Sequence, residues 1–220
     1  MRQITDRSPT PSELTTLKQK FSSQQVGDWE QMHQNHQVEY LAIREQLAYD
    51  QSYFCIYCEL CLDPSAVADG NKGHIEHHKP KSKYPRLMFD WDNLMYCCTS
   101  PDTCGGAKGN AYFNGLINPY TDPVESWLEV NKINGKLALS NGCPENRRDD
   151  VYKSLEKILN LNSPGLRSKR QRILRSISKA VEVLSGQPDA LAVFRQKAKA
   201  EEMPFITARL QLLDKLIPEG

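Results

Sequence analysis

Six of the seven cysteines in this 220-residue chain fall between positions 55 and 104, and that crowding limits the fold more tightly than any other feature. Cys55 and Cys58 stand two residues apart, the interval at which neighbouring turns of backbone present two thiolates to one tetrahedral Zn(II). A second pair must complete the site. Cys98 and Cys104 are the preferred partners, although the five residues between them make a longer loop than the usual two to four. Cys61, Cys97 and Cys143 are then left over and are expected as buried small hydrophobes. Cys61 or Cys97 remains able to replace a ligand, Cys61 more readily. An odd, clustered set of cysteines argues against a secreted disulfide scaffold and for metal binding in a reducing compartment.

Between the cysteines lies a second group of residues with chemistry of its own. Glu76 offers a hard carboxylate oxygen suited to Mg(II) or Mn(II), and the adjacent His77 can take a proton from water near neutral pH. Pro80 follows three residues later, Asn93 sixteen after that pair, and Lys108 just beyond Cys104. An isolated Glu-His pair would ordinarily be solvated surface. Framed by cysteine pairs, it reads instead as a hydrolytic centre serving a phosphate, with a metal as Lewis acid, His77 as general base and Lys108 adding positive charge.

In this order the residues resemble the HNH endonuclease family, whose ββα-metal core carries an (Asp/Glu)-His-x-x-Pro strand, a middle Asn and a helix with the last metal ligand. Here they read Glu76-His77-x-x-Pro80, Asn93 and Cys104-x-x-x-Lys108. The resemblance implies Glu76 as ligand of a catalytic Mg(II) or Mn(II), His77 as general base, Asn93 as the residue that fixes the loop and orients the histidine, and a structural Zn(II) at the cysteines. The family usually has His or Asn directly after the last Cys, where this chain has Gly105. Asn110 is the expected substitute ligand, with Asp102 or a water as alternatives. His74 shares a strand face with Glu76 by period-2 alternation, which makes it a candidate metal ligand or phosphate contact, with a structural role as the alternative; with His78, Lys79, Lys81 and Lys83 it is expected to face nucleic acid. HIEHHKPKSKYP, FDWDNLMYCC, INPYTDP and ILNLNSPGLRSKR resemble, more narrowly, the PtuB-like HNH subfamily of Septu and retron-associated anti-phage systems. That resemblance implies an effector working with a PtuA-like ATPase of the ABC/SMC type.

Composition bounds the reading more loosely. A net charge of +1 does not announce a nucleic-acid binder, so phosphate affinity must come from local clusters. One is Lys79, Lys81, Lys83 and Arg86. The other runs from Arg167 to Lys179 without an acidic residue, on a segment whose Leu166, Ile173, Ile177, Val181 and Leu184 follow helical spacing with a basic outer face. The first residues lack the apolar run of a signal peptide, and no stretch approaches the roughly 20 apolar residues of a membrane helix. The expectation is a cytoplasmic protein with no membrane contact.

The expected class is α+β: a small ββα-metal core with a zinc staple over residues 53–115, an N-terminal helical segment over 1–52, and a hairpin plus helical lobe over 116–220. Ser12 is a candidate helix cap, and Trp29, Met32, His36, Tyr40, Ile43 and Leu47 recur as one buried helical stripe. Asn134-Gly135 suits a type I′ turn between strands at Trp127–Asn131 and Lys136–Ser140, which would extend the small sheet. Helices are expected near Asp149–Leu161, Leu166–Leu184, Asp189–Glu201 and Pro204–Leu216. The functional expectation is phosphodiester hydrolysis, with DNA favoured as substrate. An HNH ribonuclease acting on tRNA, or a decayed zinc-stapled adaptor that binds nucleic acid or the ATPase without cutting, are the alternatives.

Overall fold

Two short hydrogen-bonded strands sit at the middle of the chain, the second apolar and the first carrying two histidines and a glutamate. The computed structural model describes residues 1–22, 24–25, 27–62, 73–200 and 203–217. Strand β1 (His74–His77) pairs antiparallel with β2 (Leu94–Cys97), in the register Glu76 to Met95 and His77 to Leu94. All of β2 and three of the four residues of β1 are buried. Both faces of the hairpin are therefore covered, and the alternation of a half-exposed strand is absent. Between the strands, two short 3-10 turns at Pro85–Leu87 and Trp91–Asn93 fold the connection back, and a five-residue helix, α4 (Cys104–Lys108), follows β2.

The N-terminal segment supplies one cover. Helix α1 (Ser12–Lys20) buries Leu14 and Leu17, and α2 (Asp28–Asn35) buries Trp29 and Met32. Helix α3 (Gln37–Asp50) buries Ile43 and Leu47 and packs on both strands. Two expectations change here. The stripe from Trp29 to Leu47 is carried by two helices, because His36 leaves helical geometry at φ −132° and ψ 51°. Ser12 is the first helical residue and makes no cap hydrogen bond to the backbone; Pro11 precedes the helix in extended geometry.

The C-terminal segment begins with α5 (Val124–Trp127) and a separate two-stranded sheet, β3 (Leu128–Val130) with β4 (Leu137–Leu139). The hairpin exists, but it does not extend the β1–β2 sheet, and its turn is wider than type I′. Asn131 and Lys136 close it through the Asn131 N–H, and only Gly135 takes a positive φ, +66°. A Cβ there would meet the Arg167 carbonyl oxygen at 2.3 Å, so Gly is demanded by packing as much as by backbone angle. Helix α6 (Arg148–Lys153) runs into a π-helical turn at Ser154–Ile158. Helix α7 (Pro164–Val183) starts on the Ser163 hydroxyl, which accepts the Leu166 N–H, with Pro164 in the first position. Helices α8 (Pro188–Ala200) and α9 (Ile206–Leu216) complete the lobe, and α9 packs on α7 and β3. Glu201, the expected end of α8, lies outside the described residues.

Arg170 departs from the expected basic outer face of α7. It is buried, and its guanidinium donates to the carbonyls of Gly135 and Leu161. It ties the helix to the hairpin, while Arg172, Arg175 and Lys179 stay exposed. Helices and two small sheets make the fold α+β, with one hydrophobic core that runs from the N-terminal helices through the cysteines to α9. Among the described residues no helix is long and apolar enough to cross a membrane.

Candidate active site and cysteine cluster

The four cysteines chosen by spacing meet in space. The sulfurs of Cys55, Cys58, Cys98 and Cys104 all lie within 4.8 Å of one another and are buried. Cys58 and Cys98 are 3.9 Å apart, close to the ~3.8 Å edge of a tetrahedron with zinc–sulfur bonds of about 2.3 Å. The Cys55–Cys58 turn is closed by the Glu59 N–H donating to the Cys55 carbonyl, with Glu59 at φ +59°. Burial pushes the Cys58, Cys97 and Cys104 thiols up, whereas hydrogen bonds from neighbouring thiols, Cys104 first, hold Cys98 well below its ordinary range. Packed sulfurs of this kind cannot all ionise without a cation among them. The donor set therefore fits Zn(II), whose charge would permit four thiolates.

Cys97 borders the cluster without joining it. Its sulfur is 3.8 Å from that of Cys55 and accepts the Gly105 N–H at 3.4 Å. Cys61, expected to be buried, is only partly so and pairs through its backbone with Phe54, whereas Cys143 is buried in the C-terminal segment.

Glu76 and His77 sit beside this cluster on β1, both less than a tenth exposed. His77 Nε2 lies 3.1 Å from the Met88 carbonyl oxygen. Because a carbonyl only accepts, Nε2 carries the proton and Nδ1 keeps the lone pair of the neutral ring. Burial lowers the His77 pKa to about 4, against the opposing pull of the Met88 carbonyl. The ring is neutral near pH 7 and packs edge-on against Trp29, with centroids 4.3 Å apart.

Asn93 bonds to the carbonyl of Leu87, the residue before Met88. The Asn93 side chain accepts the Lys79 N–H at 2.7 Å and donates to the carbonyls of Lys79 at 3.0 Å and Leu87 at 2.9 Å. One carboxamide thus ties two separate points of the loop that follows β1 to each other. Sequence reasoning assigned Asn93 to this loop but missed Trp29 and Met88. Their only signal was a Trp in the helical stripe and an apolar run before Asp90, neither of which specifies a contact with a histidine.

Lys108 is buried, and its ammonium donates to Glu76 Oε1 at 2.6 Å, to the His77 carbonyl at 2.8 Å and to the Gly109 carbonyl at 3.3 Å. Glu76 Oε2 faces His74 Nε2 at 3.5 Å. Burial alone would raise the Glu76 carboxyl, but His74 and Lys108 outweigh it and hold the group below its ordinary value. Burial likewise pulls His74 down, and Glu76 more than restores it, so His74 is raised. Gly105 lies directly against this pair. A Cβ at Gly105 would stand 2.7 Å from Glu76 Oε2 and 3.2 Å from Cys97 Sγ.

The remaining candidates are spread around this centre. His78 is buried, its pKa lowered to about 4 by burial and then by Lys108 and Lys79, and its Nδ1 has no partner among the described residues. Its ring meets Tyr112 edge-on, and the Lys79 ammonium lies 5.9 Å and 5.8 Å from the Tyr84 and Tyr112 ring centroids. Lys81 is tied to Glu30, and Lys83 is exposed. Asn110 is exposed in the turn after Gly109, and Asp102 is exposed, its carbonyl accepting from Asn160.

A divalent ion at Glu76 passes a test of its donor set. Oε1 is taken by Lys108, but Oε2 and His74 Nε2 are a hard oxygen and an imidazole nitrogen at 3.5 Å, on a side chain of His74 that is 35% exposed. Among the described residues the buried Nδ1 atoms of His74 and His78 have no hydrogen-bond partner.

No protein-family model matches the chain. Over 78 residues, 34% of this chain and 28% of the relative, it is 36% identical to the "Septu protein PtuB" of Bacillus thuringiensis. Over 116 residues, 50% of this chain and 42% of the relative, it is 30% identical to the "Retron Ec83 putative HNH endonuclease" of Escherichia coli. The chain thus spans less than half the length of these two curated relatives. At modest identity these names support an HNH endonuclease of anti-phage systems, as the resemblance of the motif and its flanking strings implied.

Proposed function

We propose that the chain is a metal-dependent HNH endonuclease that hydrolyses phosphodiester bonds, DNA before RNA, as the effector of a cytoplasmic anti-phage system that includes a PtuA-like ATPase. One observation carries this reading: His77 is buried, neutral and oriented, with Nε2–H spent on the Met88 carbonyl and the basic Nδ1 left for a proton. In the proposed step Nδ1 takes a proton from water as the water oxygen attacks phosphorus. The bond from phosphorus to the 3′-oxygen breaks and that oxygen takes up a proton, which leaves a 5′-phosphate and a 3′-hydroxyl.

A pKa near 4 makes His77 a weak base in the resting state, and the negative phosphate arriving beside it would raise it toward the working range. Asn93 holds the loop that aims the ring, and Lys108 holds Glu76 while adding positive charge near the phosphate. Mg(II) or Mn(II), when bound at Glu76, would supply Lewis-acid help to the phosphate. Zn(II) at Cys55, Cys58, Cys98 and Cys104 would act as a folding element. Lys79, Lys83 and His74 would meet backbone phosphates in this reading, which would favour cleavage with little base preference. An adaptor that binds without cutting would gain support from Gly105, but it gives no reason for a neutral, oriented His77.

The test is cleavage of plasmid DNA and of tRNA in Mg(II) or Mn(II), by wild type and His77→Ala, with and without the ATPase. Loss of a general base should cost about 10²- to 10⁴-fold. No cutting by the wild type in any mixture would overturn the nuclease reading and favour the adaptor.

A further inference from the structure

The missing ligand at Gly105 leaves a specific question of where a metal at Glu76 finds its second protein donor. Helix α4 cannot supply it at that position. Glu76 Oε2 occupies the room a side chain would need, since a Cβ on Gly105 would be 2.7 Å away. The Glu76 carboxylate has only one lobe to offer, because Lys108 is 2.6 Å from Oε1. On the Oε2 side stands His74, two residues earlier on the same strand face, with Nε2 at 3.5 Å.

That separation is longer than the 2.7–3.2 Å of a good N–H···O hydrogen bond. Adjacent ligands on an octahedral ion with bonds of about 2.1 Å stand ~3 Å apart, so the pair needs to close by only about half an ångström to share one. With the side chain 35% exposed, the open positions of an ion here would face water or a phosphate.

Resting on the nuclease reading, we propose that His74 is the second protein ligand of the divalent ion at Glu76, taking the part expected of a side chain at position 105 or of Asn110. The mixed nitrogen and oxygen donor pair favours Mn(II) over Mg(II), because imidazole suits transition ions and Mg(II) prefers oxygen and sheds water reluctantly.

The test is Mn(II) binding to the full zinc-loaded chain, read by the loss of the free-ion paramagnetic resonance signal and by nitrogen modulation of the bound-ion spin echo. Wild type should bind one ion through Glu76, and Mg(II) should compete only in large excess. His74→Ala should weaken binding at least about tenfold, the lower end of what loss of even an outer partner costs a metal site, and should diminish the nitrogen modulation. His74→Asp should restore affinity without the modulation, and Asn110→Ala should change neither. Zinc content and circular dichroism check that each variant is folded. Mn(II) binding as tight in His74→Ala as in wild type, or no binding by wild type at all, would overturn the assignment. Cleavage lost in His77→Ala with unchanged Mn(II) binding keeps the nuclease reading separate: the ligand assignment can fail while that reading stands, and the reverse.

Discussion

Replacing Gly105 by Ala sets two measurable effects against each other. Ala is the better helix former by up to ~1 kcal/mol, and α4 is short enough that the full gain is not expected. Against it, the new methyl group would stand 2.7 Å from Glu76 Oε2 and 3.2 Å from Cys97 Sγ. The first contact must open to the 3.4 Å of ordinary van der Waals approach, and the carboxylate cannot retreat freely because Oε1 is held at 2.6 Å by the buried Lys108 ammonium. Overpacking a well-filled site costs about 1–3 kcal/mol, and a loosened hydrogen bond to a charged group adds up to about 1.5–3 kcal/mol. The steric side wins, with a net destabilisation of about 1–5 kcal/mol and a melting temperature lower by roughly 2–20 °C for a chain of this size. Urea and thermal denaturation of the zinc-loaded protein give the number directly. A Gly105→Ala protein as stable as wild type, or more so, would refute the claim that the carboxylate fills the space of the missing side chain.

Asn93→Ala would strip partners from the Lys79 N–H and the Lys79 and Leu87 carbonyls. At about 1–3 kcal/mol per buried group left unpaired, partly relieved by water, a loss near 3 kcal/mol is expected in urea denaturation, with single-turnover cleavage falling further than stability explains. Lys108→Met leaves the Glu76 carboxylate buried without its cation and should cost about 3–5 kcal/mol; a smaller loss for the double change with Glu76→Gln would identify the pair as the cause. For pH, His77 and His78 have folded pKa values of about 4, below the ~6.5 of the unfolded chain. The unfolded state therefore binds more protons, and stability present above pH 6.5 is lost as pH falls toward 4. Each ring contributes a loss of about 1.4 kcal/mol by pH 5.5, so the unfolding free energy of His78→Gln should fall less steeply over this window than that of wild type. Removing zinc with a chelator under reducing conditions should abolish cooperative unfolding of the segment from Cys55 to Lys108, read by near-ultraviolet circular dichroism; an unchanged transition would remove the metal from the folding argument.

Much of the site was legible along the chain because its parts are local. Two cysteines at a tight turn, and a Glu and His at neighbouring strand positions, keep their geometry whatever surrounds them. The choice of Cys98 and Cys104 over Cys61 and Cys97 also agrees with the cluster, even though the sulfur of Cys97 comes within 3.8 Å of Cys55. The helices from α6 to α9 follow the expected segments, since their apolar periods and the breaks at Pro164 and Pro188 act within a few residues.

What the chain alone did not decide depends on groups distant in sequence. The break at His36 divides a continuous apolar stripe so that Trp29 can reach His77, 48 positions on. Arg170 belongs by charge to a solvated face, yet it is buried because two carbonyls from the hairpin and the preceding turn wait for it. The tautomer of His77 follows from the position of the Met88 carbonyl, and the free lobe of Glu76 follows from Lys108 reaching its other oxygen. Residue type and spacing determined which groups can bind metal or move a proton. Only packing decided which lone pair each has left to use, because backbone carbonyls and buried charges satisfy the rest.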